Sequence, residues 1–541
     1  MLVYDIVHKI GNEESQGLYQ YKAMILDSVH GFIPINAGEY WILQTPFMRR
    51  LHNIKQLGAN YLVFPSAKHT RLEHSLGSMH IASRMANKIL NYALSEHNSK
   101  LCAALFTTCN EKAYNSFIQV ARLAGLLHDL GHLAFSHMIE SGIKNLLTYS
   151  NEDNKISEAV SAKLRNILSM LAEKGGKVHE FYTYYFIDQL SKMAEKTEFS
   201  LLDVSIRAAA VSLFDENNKE VLDELNLTSE AARIIKSIIS NEIVDADRLD
   251  YLQRDALTSG IVYGNIDIDR LIYGIKLAMD GEKTYITLDM KSMPTLEDIF
   301  DARYKMYKSV YFHHKSIAIS KSVEKFVNGL ADEWDNVKLD LYKDIDLADF
   351  LNPIILSNAI ANDYYYFDDD EMDVIIKASA IKGSTQIKRW ALSLLNRREL
   401  LPISVFKRPE QVMIIASQIL EKLGKKSSGE NIRKLVKGID RDRINDFVRK
   451  KLNIDSAKVD YYDEEIISED KIMKISNIFN WKESMYIRSL VQIGSIPVFL
   501  VYVYSDDEND HINLRNKINE IRKSVSEEIS NVFEERAKDV D

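Results

Sequence analysis

The stretch ARLAGLLHDLGHLAFSH, Ala121 to His137, is an apolar run that stops at a histidine followed directly by an aspartate. Two further segments complete its reading, RLEHSLG at Arg71–Gly77 and VDADRLDYLQRD at Val244–Asp255. Each supplies His or Asp within a helical pattern, so His74, His128, Asp129 and Asp247 can converge from three helices on one metal ion. Nitrogen and carboxylate ligands together suit a borderline or hard divalent metal that keeps positions open for water and substrate.

Outward from this stretch the patterns are mostly helical. Upstream, Tyr21–Leu43 alternates apolar and polar residues around His30-Gly31, as a short hairpin feeding a helix does. From Thr45 a helix is predicted, with Met48, Leu51, Ile54 and Leu57 at helical spacing and Pro46 in its first turn. An extended piece through Pro65 leads to a second helix that holds His74 near its start. A third, Lys112 to His128, carries Phe117, Val120, Leu123, Ala124 and Leu127 on one side. Downstream come a polar segment, Asn151–Gly176, and a helix starting at His179. Helical patterns follow over Ile234–Leu257 and Thr295–Phe326, with a two-stranded element around Tyr285–Met290 between them. Past about Asp335 the composition changes. DYYYFDDDEMDVIIKA has an acidic entry suited to a helix start, IPVFLVYVY reads as a buried strand, and Asn513–Glu535 as a long charged helix. The expected fold class is mainly α: a helical core with small β hairpins over residues 1–334, a helical extension over 335–455 and a small α+β tail over 456–541.

Composition agrees. The 541 residues include 21 Gly and 8 Pro, sparse enough to favour long helices over a turn-rich β fold. A net charge of -10 argues against a chain built around nucleic acid. The local basic segment Lys425–Lys451, with ten Lys or Arg against four acidic residues, reads as a solvated face, because no aromatic stacking platform accompanies it. Cys102 and Cys109, seven apart on one helical face, are read as small packed hydrophobes rather than a disulfide, which suits a reducing cytosol. MLVYDIVHKIGNEES has no signal-peptide pattern, and the apolar run from Ile496 to Tyr504 is too short to span a bilayer. A cytoplasmic protein without a membrane partner is expected.

A His-Asp pair alone is ordinary, since a histidine on an apolar helix is usually a satisfied core or capping residue. The density around this one is not: Asp129, His132, His137 and Glu140 follow within twelve residues of His128. Titratable groups so crowded cost desolvation free energy unless metal, substrate or pairing offsets it. His128 and His132 share a face if the helix persists through them, so that one can bind metal while the other faces a substrate.

RLEHSLG, HDLGHLAFSH and DADRLDYLQRD, in this order, resemble the HD-domain phosphohydrolases and, within them, the deoxynucleoside triphosphate triphosphohydrolases, in the branch of the animal enzyme that carries a sterile alpha motif domain. The similarity covers Asp27 to Lys315 and fades through Asn396. It implies one divalent ion (Fe, Mn, Zn, Ni or Mg) on His74, His128, Asp129 and Asp247, with Asp245 the structural aspartate of DADR. It also implies hydrolysis of a dNTP at the α-phosphate to a deoxynucleoside and triphosphate, and a homo-oligomer, dimer or tetramer. Under the same resemblance His179 is the leading general acid, with His132 and Glu140 as a supporting or alternative pair. Gln56, Tyr251 and Asp255 match positions around the sugar. Arg71, His137, Arg248 and Arg303 match positions near the phosphates, and Arg303, Tyr307 and Tyr311, four apart, line a path from phosphate to base.

Gln44, His52 and His314 depart from the family's guanine-reading regulatory pattern, so activation by those contacts is not expected. Two competing readings stand beside this one. An HD-type nuclease or phosphodiesterase, acting on single-stranded nucleic acid or a signalling nucleotide, keeps the metal site and is indifferent to Tyr251. A scaffold keeps the site for structure alone.

Overall fold

The computed structural model describes residues 18–95, 99–148, 157–199, 201–214, 218–241, 244–396, 400–408, 410–437, 439–452, 456–465 and 497–539. The N-terminal reading, the first part of the Asn151 segment and Ile496 fall outside these residues.

A hairpin of β1 (Tyr21–Asp27) and β2 (Gly31–Asn36) opens the described chain, as its alternation predicts. Asp27 Oδ1 closes the turn by accepting from Val29 N and His30 N at 2.9 and 2.8 Å. Strand β2 runs straight into α1 (Ala37–Gln44) through a capping box of Asn36 and Glu39. The helix expected to continue through Leu57 is cut short, because only Pro46–Arg50 is helical. Beyond Arg50 the backbone instead pairs with the approach to the next helix, Gln56 N to His69 O at 2.9 Å and Arg71 N to Ile54 O at 2.8 Å. Leu51 and Ile54 are buried all the same.

Two long helices make the centre. Helix α2 (Arg71–Ala93) starts at a capping box of Thr70 and Glu73, and α3 (Glu111–Leu127) at Asn110. They pack along each other, with the expected Phe117, Val120, Leu123, Ala124 and Leu127 buried. Helix α4 (His137–Leu147) follows a turn, and the polar segment after it holds a helix, Glu158–Glu173, that composition concealed. Ser161, Leu164, Ile167 and Leu171 recur at helical spacing among charged neighbours and are buried. Helix α5 (Val178–Ala194) comes next. The pattern over Ile234–Leu257 is two helices rather than one: Ser229–Ile239 ends at Ser240, and α6 (Ala246–Ser259) begins at the N-cap Asp245.

Strands β3 (Ile275–Asp280) and β4 (Lys283–Leu288) form a second hairpin. The run Thr295–Phe326 is likewise divided: α7 (Met293–Met306) passes into a π-helical turn, Tyr307–Tyr311, before α8 (His314–Val337). Helix α9 (Asp369–Lys382) has the acidic first turn read from its sequence, with Asp368 as N-cap.

The C-terminal region is α+β, a three-stranded antiparallel sheet in the order β5 (Ile403–Ser404), β7 (Pro497–Tyr504), β6 (Lys458–Glu465), packed with helices. Central β7 is apolar throughout because both its faces are buried. Leu500, Tyr502 and Tyr504 join the main core, whereas Phe499, Val501 and Val503 join a second core built from Val405 to Ala537. The long charged helix is two, Glu508–Asn516 and Ile518–Arg536, turning at Lys517. In the basic segment Arg443 pairs with Glu528 and Glu535 at 2.7 Å each, in keeping with a solvated, charge-matched face.

Among the described residues no helix is long and apolar enough to cross a membrane. The cysteine expectation is overturned: Cys102 and Cys109 are joined in a disulfide. The helix carrying Cys102 stops at Leu105, and the chain folds back to bring the two Cα atoms to 6.3 Å, closer than seven residues of helix would allow. The inference of a reducing compartment loses its premise.

Candidate active site

The first histidine of the cluster is held by its neighbours. His74 lies fully buried on α2, and its Nδ1–H donates to Asp250 Oδ2 at 2.7 Å. A carboxylate only accepts, so the tautomer is fixed and the Nε2 lone pair points away. Asp250 in turn accepts from His30 Nε2 at 2.7 Å and from both arms of Arg254 at 2.9 Å, while Arg254 reaches Asp27 at 2.8 Å. Burial raises the Asp250 carboxyl, but Arg254, His30 and His74 together hold it well below the usual carboxylate range. The glycine of RLEHSLG makes room for this network, since a Cβ at Gly77 would overlap Asp250 Oδ1.

Helix α3 ends at Leu127, and His128 is its C-cap, with Nδ1 donating to Gly125 O at 2.9 Å. His128 and His132 therefore do not share a helix; a turn carries the chain from one to the other. Gly131 in that turn sits where a Cβ would strike the Thr183 backbone of α5. Asp247 projects from α6, whereas Asp245 caps that helix, accepting from Arg248 N at 2.7 Å and Asn241 N at 2.9 Å. His74 Nε2 lies 3.0 Å from Asp247 and 3.4 Å from Asp129, and His128 Nε2 lies 3.6 Å from Asp247 and 3.5 Å from Asp129. Both Nε2 atoms are buried without a hydrogen-bond partner. Two imidazole lone pairs and two carboxylates facing one small space fit a divalent cation, and they are costly without one. Burial disfavours a charged His74, yet Asp247 and Asp250 override it and push the group up to about 10, so a cation at Nε2 would bind in competition with a proton there.

A second group lies alongside. Glu140 Oε1 accepts from His137 Nδ1 at 2.8 Å and from His179 Nδ1 at 2.9 Å. The His179 ring stacks on His132, centroids 4.5 Å apart, and His132 Nε2 is 3.4 Å from Asp129. Burial and Arg71 hold the His132 imidazole well below its ordinary value, hence neutral, while the two imidazoles on Glu140 outweigh its burial and hold its carboxyl down. Arg71 contacts Asp129, and it also donates to Ser136 Oγ at 3.1 Å and Gln56 O at 3.3 Å.

The third group is aromatic. Tyr311 O–H donates to Asp255 Oδ2 at 2.6 Å, and Asp255 Oδ1 accepts from His69 at 2.8 Å. Tyr251 and Tyr307 lie 6.4 and 4.9 Å from the Tyr311 ring, and Arg303 sits 5.3 Å over Tyr307. Arg303, Tyr307 and Tyr311 meet through a π-helical turn instead of a regular α-helical face. Arg248 is engaged at the start of its own helix, donating to Asn241 O at 3.1 Å, within electrostatic reach of Tyr251, Asp247 and Tyr307. Of the residues that depart from the regulatory pattern, Gln44 and His52 are exposed, while His314 opens α8 with its imidazole lowered to about 4 by burial and by His313.

Asp250, His30 and His69 were outside the expected set. Asp250 had a signal, since it falls three residues after Asp247 and so on the same side of α6; His30 and His69 come from distant chain and had none.

The HD domain pattern matches residues 71–255. An uncharacterized protein of Methanocaldococcus jannaschii is 30% identical over 290 residues, 54% of this chain and 46% of that protein. The deoxynucleoside triphosphate triphosphohydrolase SAMHD1 of Homo sapiens is 28% identical over 297 residues, 54% of this chain and 42% of that protein. The chain thus spans about half the length of these relatives. A crystal structure of a phosphohydrolase from Bacteroides thetaiotaomicron shares the fold, with a TM-score of 0.55 and 19% identity over 89% of this chain and 99% of that one. The match begins at Arg71 and ends at Asp255, enclosing His74, His128, Asp129 and Asp247, and the chain accordingly carries an HD domain.

Proposed function

We propose that this protein is a metal-dependent phosphohydrolase that cleaves dNTPs at the α-phosphate, releasing a deoxynucleoside and triphosphate. One observation carries the substrate reading. Asp247, Tyr251 and Asp255 recur every four residues on α6, so one helical face steps from the ion-binding cluster to the aromatic group in increments of about 6 Å. That spacing suits a phosphate at Asp247 with its sugar against Tyr251, where a ring packed on C2′ excludes a ribose hydroxyl. Similarity to a triphosphohydrolase of dNTPs supports the same assignment.

His74, His128, Asp129 and Asp247 would hold one divalent ion among Fe, Mn, Zn, Ni and Mg, which supplies charge neutralisation and a water of lowered pKa when bound. Asp250 and the Gly125 carbonyl keep both imidazoles in the ligating tautomer. Arg71, with its planar fork beside Asp129, orients a phosphate, and Arg248, Arg303 and the exposed His137 line the triphosphate. Glu140 holds Nδ1 of His179, so protonated His179 presents Nε2–H to the departing 5′ oxygen and gives up that proton as the P–O bond breaks. Gln56, Asp255 and Tyr311 take the sugar, and Tyr307 borders the base. A homo-oligomer, dimer or tetramer, completes the proposal.

The test is triphosphate release from each dNTP and rNTP, singly and mixed, with His128→Ala and Asp129→Ala as controls. Release from dNTPs alone, abolished by both changes, is expected. Cleavage of single-stranded DNA or RNA with no triphosphate released would replace this reading by the nuclease one.

A further inference from the structure

The two residues before His137 take a left-handed backbone, φ 59° at Phe135 and 54° at Ser136. For side chains other than glycine this costs roughly 1–3 kcal/mol apiece and persists only where surrounding contacts impose it. The contacts that impose it come from outside the segment matched by the HD pattern. Phe135 N–H donates to Asp369 Oδ1, in the first turn of α9, at 2.7 Å. Ala134 N–H donates to Phe367 O at 3.0 Å. Buried Arg50 bridges the same two stretches, donating to Leu130 O at 2.9 Å and His132 O at 2.7 Å on one side and to Tyr366 O at 2.9 Å on the other.

The second oxygen of Asp369 begins a chain of bonds toward the cluster. It accepts from Lys55 N at 3.2 Å and Lys55 Nζ at 3.1 Å. The Lys55 carbonyl accepts from the Ser136 hydroxyl at 2.7 Å, and Ser136 Oγ accepts from Arg71 Nε at 3.1 Å. Arg71 then contacts Asp129. Asp369, Ser136, Arg71 and Asp129 are all buried, so water does not compete for these bonds.

We propose that Asp369 is a positioning residue of the active site: its two carboxylate oxygens clamp the strained turn between His132 and His137 and tie it to Arg71. The assignment of a reaction to this turn rests on the hydrolase reading above. A carboxylate is suited to the task because each oxygen faces a different donor, Phe135 N–H on one side and Lys55 on the other. An amide in its place offers one acceptor and turns a donor toward the opposite side. The HD segment therefore does not complete its own site, because α9 supplies the clamp.

Full-length, metal-loaded Asp369→Ala and Asp369→Asn proteins test this, with Asp370→Ala, an exposed acid in the same helical turn, as control. Amide hydrogen exchange in peptides covering residues 130–140 is expected to quicken about tenfold or more in Asp369→Ala, less in Asp369→Asn and not at all in Asp370→Ala, with exchange in α2 and α3 unchanged. On dNTPs, kcat is expected to fall about tenfold in Asp369→Ala while KM stays within about threefold, with partial rescue in Asp369→Asn. Unchanged exchange over 130–140 in a folded Asp369→Ala protein overturns the proposal, as does faster exchange spread evenly through α2 and α3. Should Asp369→Ala fail to fold, Asp369→Asn and Lys55→Met decide, and protection equal to wild type in both overturns it. If the wild-type protein hydrolyses no dNTP, the hydrolase reading falls, while the exchange result still decides whether Asp369 clamps the turn.

Discussion

The Tyr311 hydroxyl donates to Asp255 across 2.6 Å, joining the π-helical turn after α7 to the last buried turn of α6. A hydrogen bond from a neutral donor to a buried carboxylate is worth about 1.5–3 kcal/mol. Tyr311→Phe removes it and leaves His69 on the other oxygen. The expected outcome in steady-state kinetics is a KM for dNTP raised about tenfold with kcat within about threefold; a wild-type KM would count against a sugar-side role.

Asp250 fixes the tautomer of His74, so Asp250→Asn should weaken metal binding while every ligand remains in place. Losses of about 10–100-fold are usual for partners of ligating histidines. Metal titration by calorimetry checks this. Asp250→Ala is expected to be worse in a different way, unfolding at lower denaturant because the buried His30 ring loses its carboxylate and buried Arg254 keeps only Asp27.

With two carboxylates facing two partnerless imidazole nitrogens, the folded chain should gain stability from a cation that the unfolded chain does not bind. At a hundred times the dissociation constant the gain is about 2.7 kcal/mol. Addition of Mn²⁺ should raise Tm and a chelator should reverse it. Neither should move the Tm of a protein carrying both His128→Ala and Asp129→Ala.

His80 provides a pH signature apart from the cluster. Burial, followed by the nearby charges of His30, Arg84 and Arg122, lowers its imidazole to about 4 from an ordinary 6.5. The unfolded chain binds that proton first as pH falls. The contribution is therefore present above 6.5 and is lost progressively as pH drops through 4, on the order of 3 kcal/mol at most. Denaturant melts from pH 7 to 4 should show a shallower decline in His80→Gln than in wild type.

Reduction of the Cys102–Cys109 bridge should cost about 2 kcal/mol through the entropy of its short loop. Alkylation of the unfolded, unreduced chain, followed by mass measurement, should find no free thiol. Two labelled cysteines would restore the original reading of both as packed hydrophobes.

The helical class, the first hairpin and the gathering of His74, His128, Asp129 and Asp247 were legible because short-range signals carry them: apolar spacing, a histidine at a helix end, and His and Asp within three helical patterns. What was misread depends on residues far away in sequence. The end of the helix at the His-Asp pair was read correctly, but not the turn that follows, which Arg50 and Asp369 capture. The helix after Pro46 ends early because the backbone beyond it pairs with the approach to α2, Gln56 N–H with the His69 carbonyl and Arg71 N–H with the Ile54 carbonyl. Residues 158–173 were read only as part of a polar segment, because the polar residues on either side mask the four buried positions, at helical spacing, that make them a helix. The disulfide depends on where a helix terminates, which spacing alone does not report.

Asp247, Tyr251 and Asp255 are stacked on one face of α6, and their order is a matter of register. One residue inserted between Asp247 and Asp255 would turn everything downstream by about 100° and carry Asp255 away from both Tyr311 and His69. This helix can accept changes of side chain on its outer surface, but it is intolerant of changes in length. Insertions and deletions in proteins built on the same site should be excluded from these nine residues and collect in the loops on either side.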